Sequence, residues 1–233
     1  MSYIPYVNTR QGTRSTERFS HGNTLPLTQL PFGMAAFTPQ TDHRRGARFF
    51  HPDDRSLEGI RLTHQPSPWI GDYGTLLMLP QSGVPSADPD TAFSAYRPGE
   101  AVLRPDRLKL RFSRSRTDAL LVPTRRGAYL SLDFKDGRAP FFSLLPVLGQ
   151  YRYTLDAQND CLIGETDGHT QDLSVGFAMH FVIAFPHGSI DAARSTVFSD
   201  AVPCCPGTRI DGAGAGIHIA LRVPQVTVQL AIS

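Results

Sequence analysis

Alternation with a period of two runs through the second half of this chain and leaves little room for anything but strands. Val175, Phe177, Met179, Phe181, Ile183 and Phe185 alternate with Gly176, Ala178, His180, Val182 and Ala184. A strand sends these two sets to opposite faces of a sheet, and the small or apolar second set predicts that both faces are partly covered. Leu108, Leu110 and Phe112 alternate with Lys109 and Arg111, and Leu130, Leu132 and Phe134 alternate with Tyr129, Ser131 and Asp133. The run Val226, Val228, Leu230, Ile232 makes a fourth case. Helical periodicity is poor by comparison, and 19 prolines interrupt most candidate helices. The strand carrying Val223-Pro224 is expected to kink or lie at an edge there. The pattern predicts an all-β fold, an antiparallel β-sandwich with few short helices.

Length and composition narrow this further. With 233 residues, no internal repeat and no low-complexity linker, residues 1–233 read as a single domain. A 40% hydrophobic share supports a packed core and excludes whole-chain disorder. Net charge is only +2, from 23 basic and 21 acidic residues, which gives no electrostatic case for nucleic acid or an anionic membrane as partner. No stretch approaches the roughly 18 apolar residues of a membrane span. Met1 to Asn23 show no charged segment leading into an apolar one. The expectation is a soluble, cytoplasmic protein, and a mature secreted form would read the same. Of the cysteines Cys161, Cys204 and Cys205, two are adjacent, which suits neither an ordinary disulfide nor a chelating C-x-x-C knuckle.

Most candidate motifs have bland readings. Asp211-Gly212-Ala213-Gly214-Ala215-Gly216 has the look of a dinucleotide loop, but β-patterned residues follow where a helix N-terminus is needed, so a flexible hairpin loop is expected. There is neither a G-x-S-x-G elbow nor an H-E-x-x-H helix. His43, His51 and His64 lack metal-ligand spacing, Asp53-Asp54 belong on a turn, and Glu17 and Glu58 have no partner that sequence can place. No general acid and base are nominated together. Thr38 to Asp54 and Pro80 to Asp90 are irregular, as functional loops on a sandwich tend to be.

The stretch from Thr63 to Gly74 is different. It gathers the only tryptophan, Trp69, with two prolines, two glycines, His64 and Asp72 into one loop between strand-like segments. An aromatic ring on a stiff loop beside polar groups suits a sugar, the ring covering C–H faces while Asp and His bond hydroxyls. The alternative is that Trp69 caps the core and Asp72 closes an Asx turn.

Several motifs carry a family resemblance. Gly22-Asn23-Thr24-Leu25-Pro26, Pro31-Phe32-Gly33-Met34, Thr38-Pro39, Thr63-His64 and Gly71-Asp72-Tyr73-Gly74 together resemble the N-terminal domain of glycoside hydrolase family 92. Tyr96 to Ala101 and Arg125-Arg126-Gly127 fit more loosely, and Leu27 departs from the glycine that many members carry after the proline. The resemblance implies a galactose-mutarotase-like supersandwich, the N-terminal lobe of calcium-dependent, inverting exo-α-mannosidases. In that family a helical (α/α)₆ catalytic domain of the same polypeptide follows and carries the acid, the base and the calcium, so calcium is expected outside this chain. The implied role is substrate binding: Trp69 and Asp72 with Gly71 shape an α-mannoside pocket, and His64, Asn23 and His21 are further contacts. No catalytic residue and no metal ligand is assigned to this chain, which by itself is not expected to hydrolyse glycosides. The competing readings are a stand-alone, non-catalytic carbohydrate-binding module and a purely structural sandwich.

Overall fold

The computed structural model describes residues 3–64, 72–168 and 177–233. Two antiparallel sheets make a sandwich, as the alternation predicts. The larger has nine strands, in the order Arg209–Ala213, Gln150–Asp156, Cys161–Thr166, Met179–Ala184, Gln225–Ile232, Gly127–Phe134, Thr117–Thr124, Arg107–Phe112 and Val102–Arg104. The second has seven, in the order Ala36–Gln40, Gly59–Thr63, Leu76–Ser82, Pro140–Leu145, Gly216–Ala220, Thr196–Phe198 and Cys205–Pro206. Among the described residues helix is confined to short turns, such as Pro89–Ala92 and the 3₁₀ segment His43–Arg48. Among the described residues no helix is long and apolar enough to cross a membrane.

The nine-stranded sheet follows its sequence pattern closely. Leu108, Leu110 and Phe112, then Leu130 and Leu132, then Val226, Val228 and Leu230 all point into the core. Gly164 sits in this sheet because the Phe181 ring lies over it; a Cβ there would be 2.2 Å from the ring's Cζ. The second face of Met179–Ala184, expected to be partly covered, is the open one. His180, Val182 and Ala184 face outward and are exposed, Val182 by 40%. An antiparallel sheet can leave one face wet, and this one does.

Two other expectations are corrected. Val223-Pro224 do not kink a strand, because Gln225–Ile232 begins after them and lies inside the sheet between Met179–Ala184 and Gly127–Phe134. The Pro224 carbonyl there accepts from Phe134 N at 2.8 Å. The glycine-rich run is not a hairpin either. Arg209–Ala213 pairs in the nine-stranded sheet and Gly216–Ala220 in the seven-stranded one, so Gly214 turns the chain from one sheet to the other with φ +62°.

The seven-stranded sheet is buried on both faces: every residue of Gly59–Thr63, Leu76–Ser82 and Gly216–Ala220 is buried. Ile60, Met78, Leu144 and Ile217 are aligned across it on one side. The opposite side carries Thr38, Arg61, Ser143 and His218, polar groups that are nonetheless buried. Near Arg61, residues 41–58 supply the cover.

Candidate functional site

The edge of the seven-stranded sheet gathers the chemistry. Asp42 accepts from Arg44 N at 3.0 Å and starts the His43–Arg48 turn, and the chain then lays Phe49 over Arg61, whose guanidinium carbon lies 4.1 Å from the ring centroid. Behind this, Glu58 is buried, accepting from Gln40 Nε2 at 2.9 Å and pairing with His43 Nδ1 at 2.8 Å. Arg61, Phe49, His43, Asp72, Val147 and Leu148 line a cleft of about 250 Å³. Its far lip is held by the buried Tyr151, whose hydroxyl accepts from Val147 N at 3.2 Å and donates to the Thr75 carbonyl at 3.0 Å.

Asp72 is the clasp of the loop that begins after His64. Its carboxylate accepts from Thr63 Oγ1, from His64 N at 3.0 Å and from Tyr73 N at 2.9 Å, and lies 4.0 Å from Arg61 Nη2. Donors from both ends of the loop therefore converge on one side chain. His64 completes the base. Its Nδ1 donates to the Tyr73 carbonyl at 3.0 Å and its ring stacks on Tyr73 at 4.8 Å, while Phe177 meets Tyr73 edge-on at 5.5 Å. Burial holds the His64 pKa below its usual value, against the opposing charge of Asp72. Burial also lowers Arg61, with Asp72 again opposing, and the guanidinium stays charged.

The other predicted contacts divide. Asn23, at φ +52°, accepts from Arg48 Nε at 3.3 Å and so ties its segment to the turn that carries His43. His21 is exposed, its ring edge-on to Phe19 at 4.8 Å and its backbone N donating to Ser15 Oγ at 2.8 Å, and it does not line the cleft. Trp69 and Gly71 lie outside the described residues.

Arg61, Phe49 and Gln40 went unnoticed in the sequence, and Glu58, with no partner that sequence can place, finds His43 and Gln40 in the fold. The signal was a lone arginine between Ile60 and Leu62, in a strand that leads straight into Thr63-His64. Period two puts Arg61 and Thr63 on one face, opposite the core residues.

Asp42, His43 and Glu58 each bring a ligand atom within 4.8 Å of the others. They do not fit calcium, which takes a shell of oxygen ligands. Glu58 is already engaged by Gln40 and His43, and Asp42 by Arg44 Nε at 2.9 Å. Burial raises the Asp42 pKa, but hydrogen bonds and charge from Arg44, with Arg45, outweigh it and leave the carboxyl below its usual range. Nor do Asp42 and Glu58 make an inverting acid–base pair, which needs about 6.5–9.5 Å for the water between them.

Comparison with known proteins agrees with this architecture. Residues 6–233 match the family model of the glycosyl hydrolase family 92 N-terminal domain. Among solved structures, a family GH92 inverting mannosidase of Bacteroides thetaiotaomicron superposes with a TM-score of 0.90 at 26% identity, over 99% of this chain and 31% of that one. A family GH92 α-mannosidase of the same organism gives 0.79 at 18% identity, over 99% of this chain and 33% of that one. A GH92 family glycosyl hydrolase gives 0.78 at 15%, over 100% and 32%. The last two show the fold alone, and the chain spans about a third of the length of each structure. No curated protein sequence matches it. With nearly its whole length matched, the chain belongs to the family of glycosyl hydrolase family 92 N-terminal domains.

Proposed function

We propose that this chain is the sandwich lobe of an α-mannosidase and lends the loop between Thr63 and Gly74 to a mannoside-binding site. The observation that carries the reading is the clasp at Asp72. Donors from Thr63, His64 and Tyr73 fix both ends of the loop beside a cleft at the sheet edge. Asp72 is a positioning residue in this reading, since its oxygens are spent on the loop; sugar contact falls to Trp69 and to the cleft wall. The acid, the base and the calcium belong to a helical domain of the same polypeptide, in keeping with the poor fit of Asp42, His43 and Glu58 to either role. That the similar structures are about three times as long favours a lobe of a larger enzyme over a free-standing binding module.

Because Trp69 is the only tryptophan, its fluorescence reports on the loop without labelling. Titration with mannose and α-mannobiose is expected to change the emission with a Kd of roughly 1 mM, about −4 kcal/mol. An emission that stays constant for both sugars would overturn the reading.

A further inference from the structure

Arg61 is a buried cation with too few partners. It is 9% exposed, yet its one hydrogen bond among the described residues is a long one, from Nη1 to Gln40 Oε1 at 3.4 Å. Nε is buried without a hydrogen-bond partner among the described residues, and Nη2 approaches Asp72 only to 4.0 Å. Phe49 covers one face of the guanidinium plane and accepts no hydrogen bond from its edge. Asp72 in turn is held by Thr63 and two backbone amides, so its charge is shared among several donors. Buried charges in proteins are normally paired and hydrogen-bonded, and a guanidinium presents a fork that fits a carboxylate with two parallel bonds. Beside it the cleft has apolar walls at Ala47, Val147 and Leu148 and room for a small ring.

We propose that the cleft over Arg61 binds the carboxylate of an acidic sugar, so that the glycan recognised here carries a uronic-acid residue. This rests on the reading of the chain as part of a sugar site, and names the class of glycan it prefers. Asp72 lines the same cleft as Arg61, 4.0 Å from its Nη2, so the incoming carboxylate shares the guanidinium with it, and Arg61 is the positioning cation between them.

The test compares D-mannuronate with D-mannose by calorimetry on the chain and on Arg61→Met and Arg61→Lys, following the Arg61 Nε–H resonance by NMR in the wild type. Mannuronate is expected to bind about tenfold more tightly than mannose. The advantage should shrink at high salt, vanish in Arg61→Met and survive in part in Arg61→Lys. The Nε–H signal should shift with mannuronate and not with mannose. Equal binding of the two sugars, or an advantage kept in Arg61→Met, overturns the proposal and leaves the mannoside reading standing. An unmoved Nε–H signal overturns it even if Arg61→Met fails to fold. Mannuronate binding without mannose binding supports it and counts against the mannoside pocket, and no binding of either sugar sinks both.

Discussion

The two sheets solve opposite problems. The nine-stranded sheet buries one face and wets the other, so along Gln225–Ile232 exposed and buried residues alternate without a break. The seven-stranded sheet is covered on both sides, and its far face holds Arg61, Ser143 and His218 away from water. On a wet face a polar side chain costs nothing to leave alone. On a covered face it must find partners or bear the desolvation, and the candidate site of this molecule collects on the covered face.

The sharpest way to break this contrast is a pair of neighbouring substitutions in the wet-faced sheet. Phe181 points inward against Tyr153, with ring centroids 6.0 Å apart, while Val182 points outward. Phe181→Ala should cost about 3–5 kcal/mol and Val182→Ala less than about 0.5 kcal/mol, read from urea midpoints. A large loss in Val182→Ala would mean that the outer face is covered after all.

The covered sheet should instead show itself through pH. His218 is buried beside Ser143 Oγ at 2.8 Å, its Nε2 has no hydrogen-bond partner among the described residues, and burial pushes its pKa down to about 4. In the unfolded chain the value is about 6.5. The folded state thus binds protons less readily, so its stability is whole above pH about 6.5 and falls as pH drops towards 4. The total loss is about 3 kcal/mol. Urea midpoints measured across this window should decline in the wild type and stay flatter in His218→Gln. Equal slopes would show that His218 is not held neutral.

The same contrast explains what could be read in advance. Strands at 107–112, 127–134 and 225–232 were legible because a half-wet sheet writes its geometry as alternation. A sheet covered on both faces has no such signature. Leu76–Ser82, with Pro80 inside it, gives no clue to its neighbours, and Arg61 looks in sequence like any solvent-facing arginine. The site was half legible for a related reason. Asp72 and His64 stood out by composition, but their inward commitment to the loop base depends on Thr63, Tyr73 and the chain reversal that brings the two ends together. Glu58 and His43 are 15 residues apart, and only the turn at His43–Arg48 joins them.

A smaller effect sharpens the account of the loop. Asp72→Asn keeps the shape but weakens the acceptor for Thr63 Oγ1 and two amides, and leaves Arg61 without its nearest anion. The expected cost is about 2 kcal/mol. If Asp72 is the clasp, limited proteolysis between residues 65 and 71 should also speed up relative to cleavage elsewhere. Faster cleavage everywhere would point to a general loss of stability instead.

The smallest predicted effect has the opposite sign and tests whether everything near the covered sheet serves packing. Phe32 precedes the Ala36–Gln40 strand, is fully exposed and holds φ at +58°. A bulky residue in the left-handed region costs about 1–2 kcal/mol, while glycine there costs about 0.5–1 kcal/mol through the freedom of the unfolded chain. Phe32→Gly should therefore stabilise the chain by about 0.5–1 kcal/mol. The gain would show that Phe32 sits in its turn at the expense of stability, with no packing in this chain to offset the strain. A loss of stability would mean that the exposed ring makes contacts the static structure does not reveal, and the division between a packed side and a wet side would then have to be drawn beyond the two sheets.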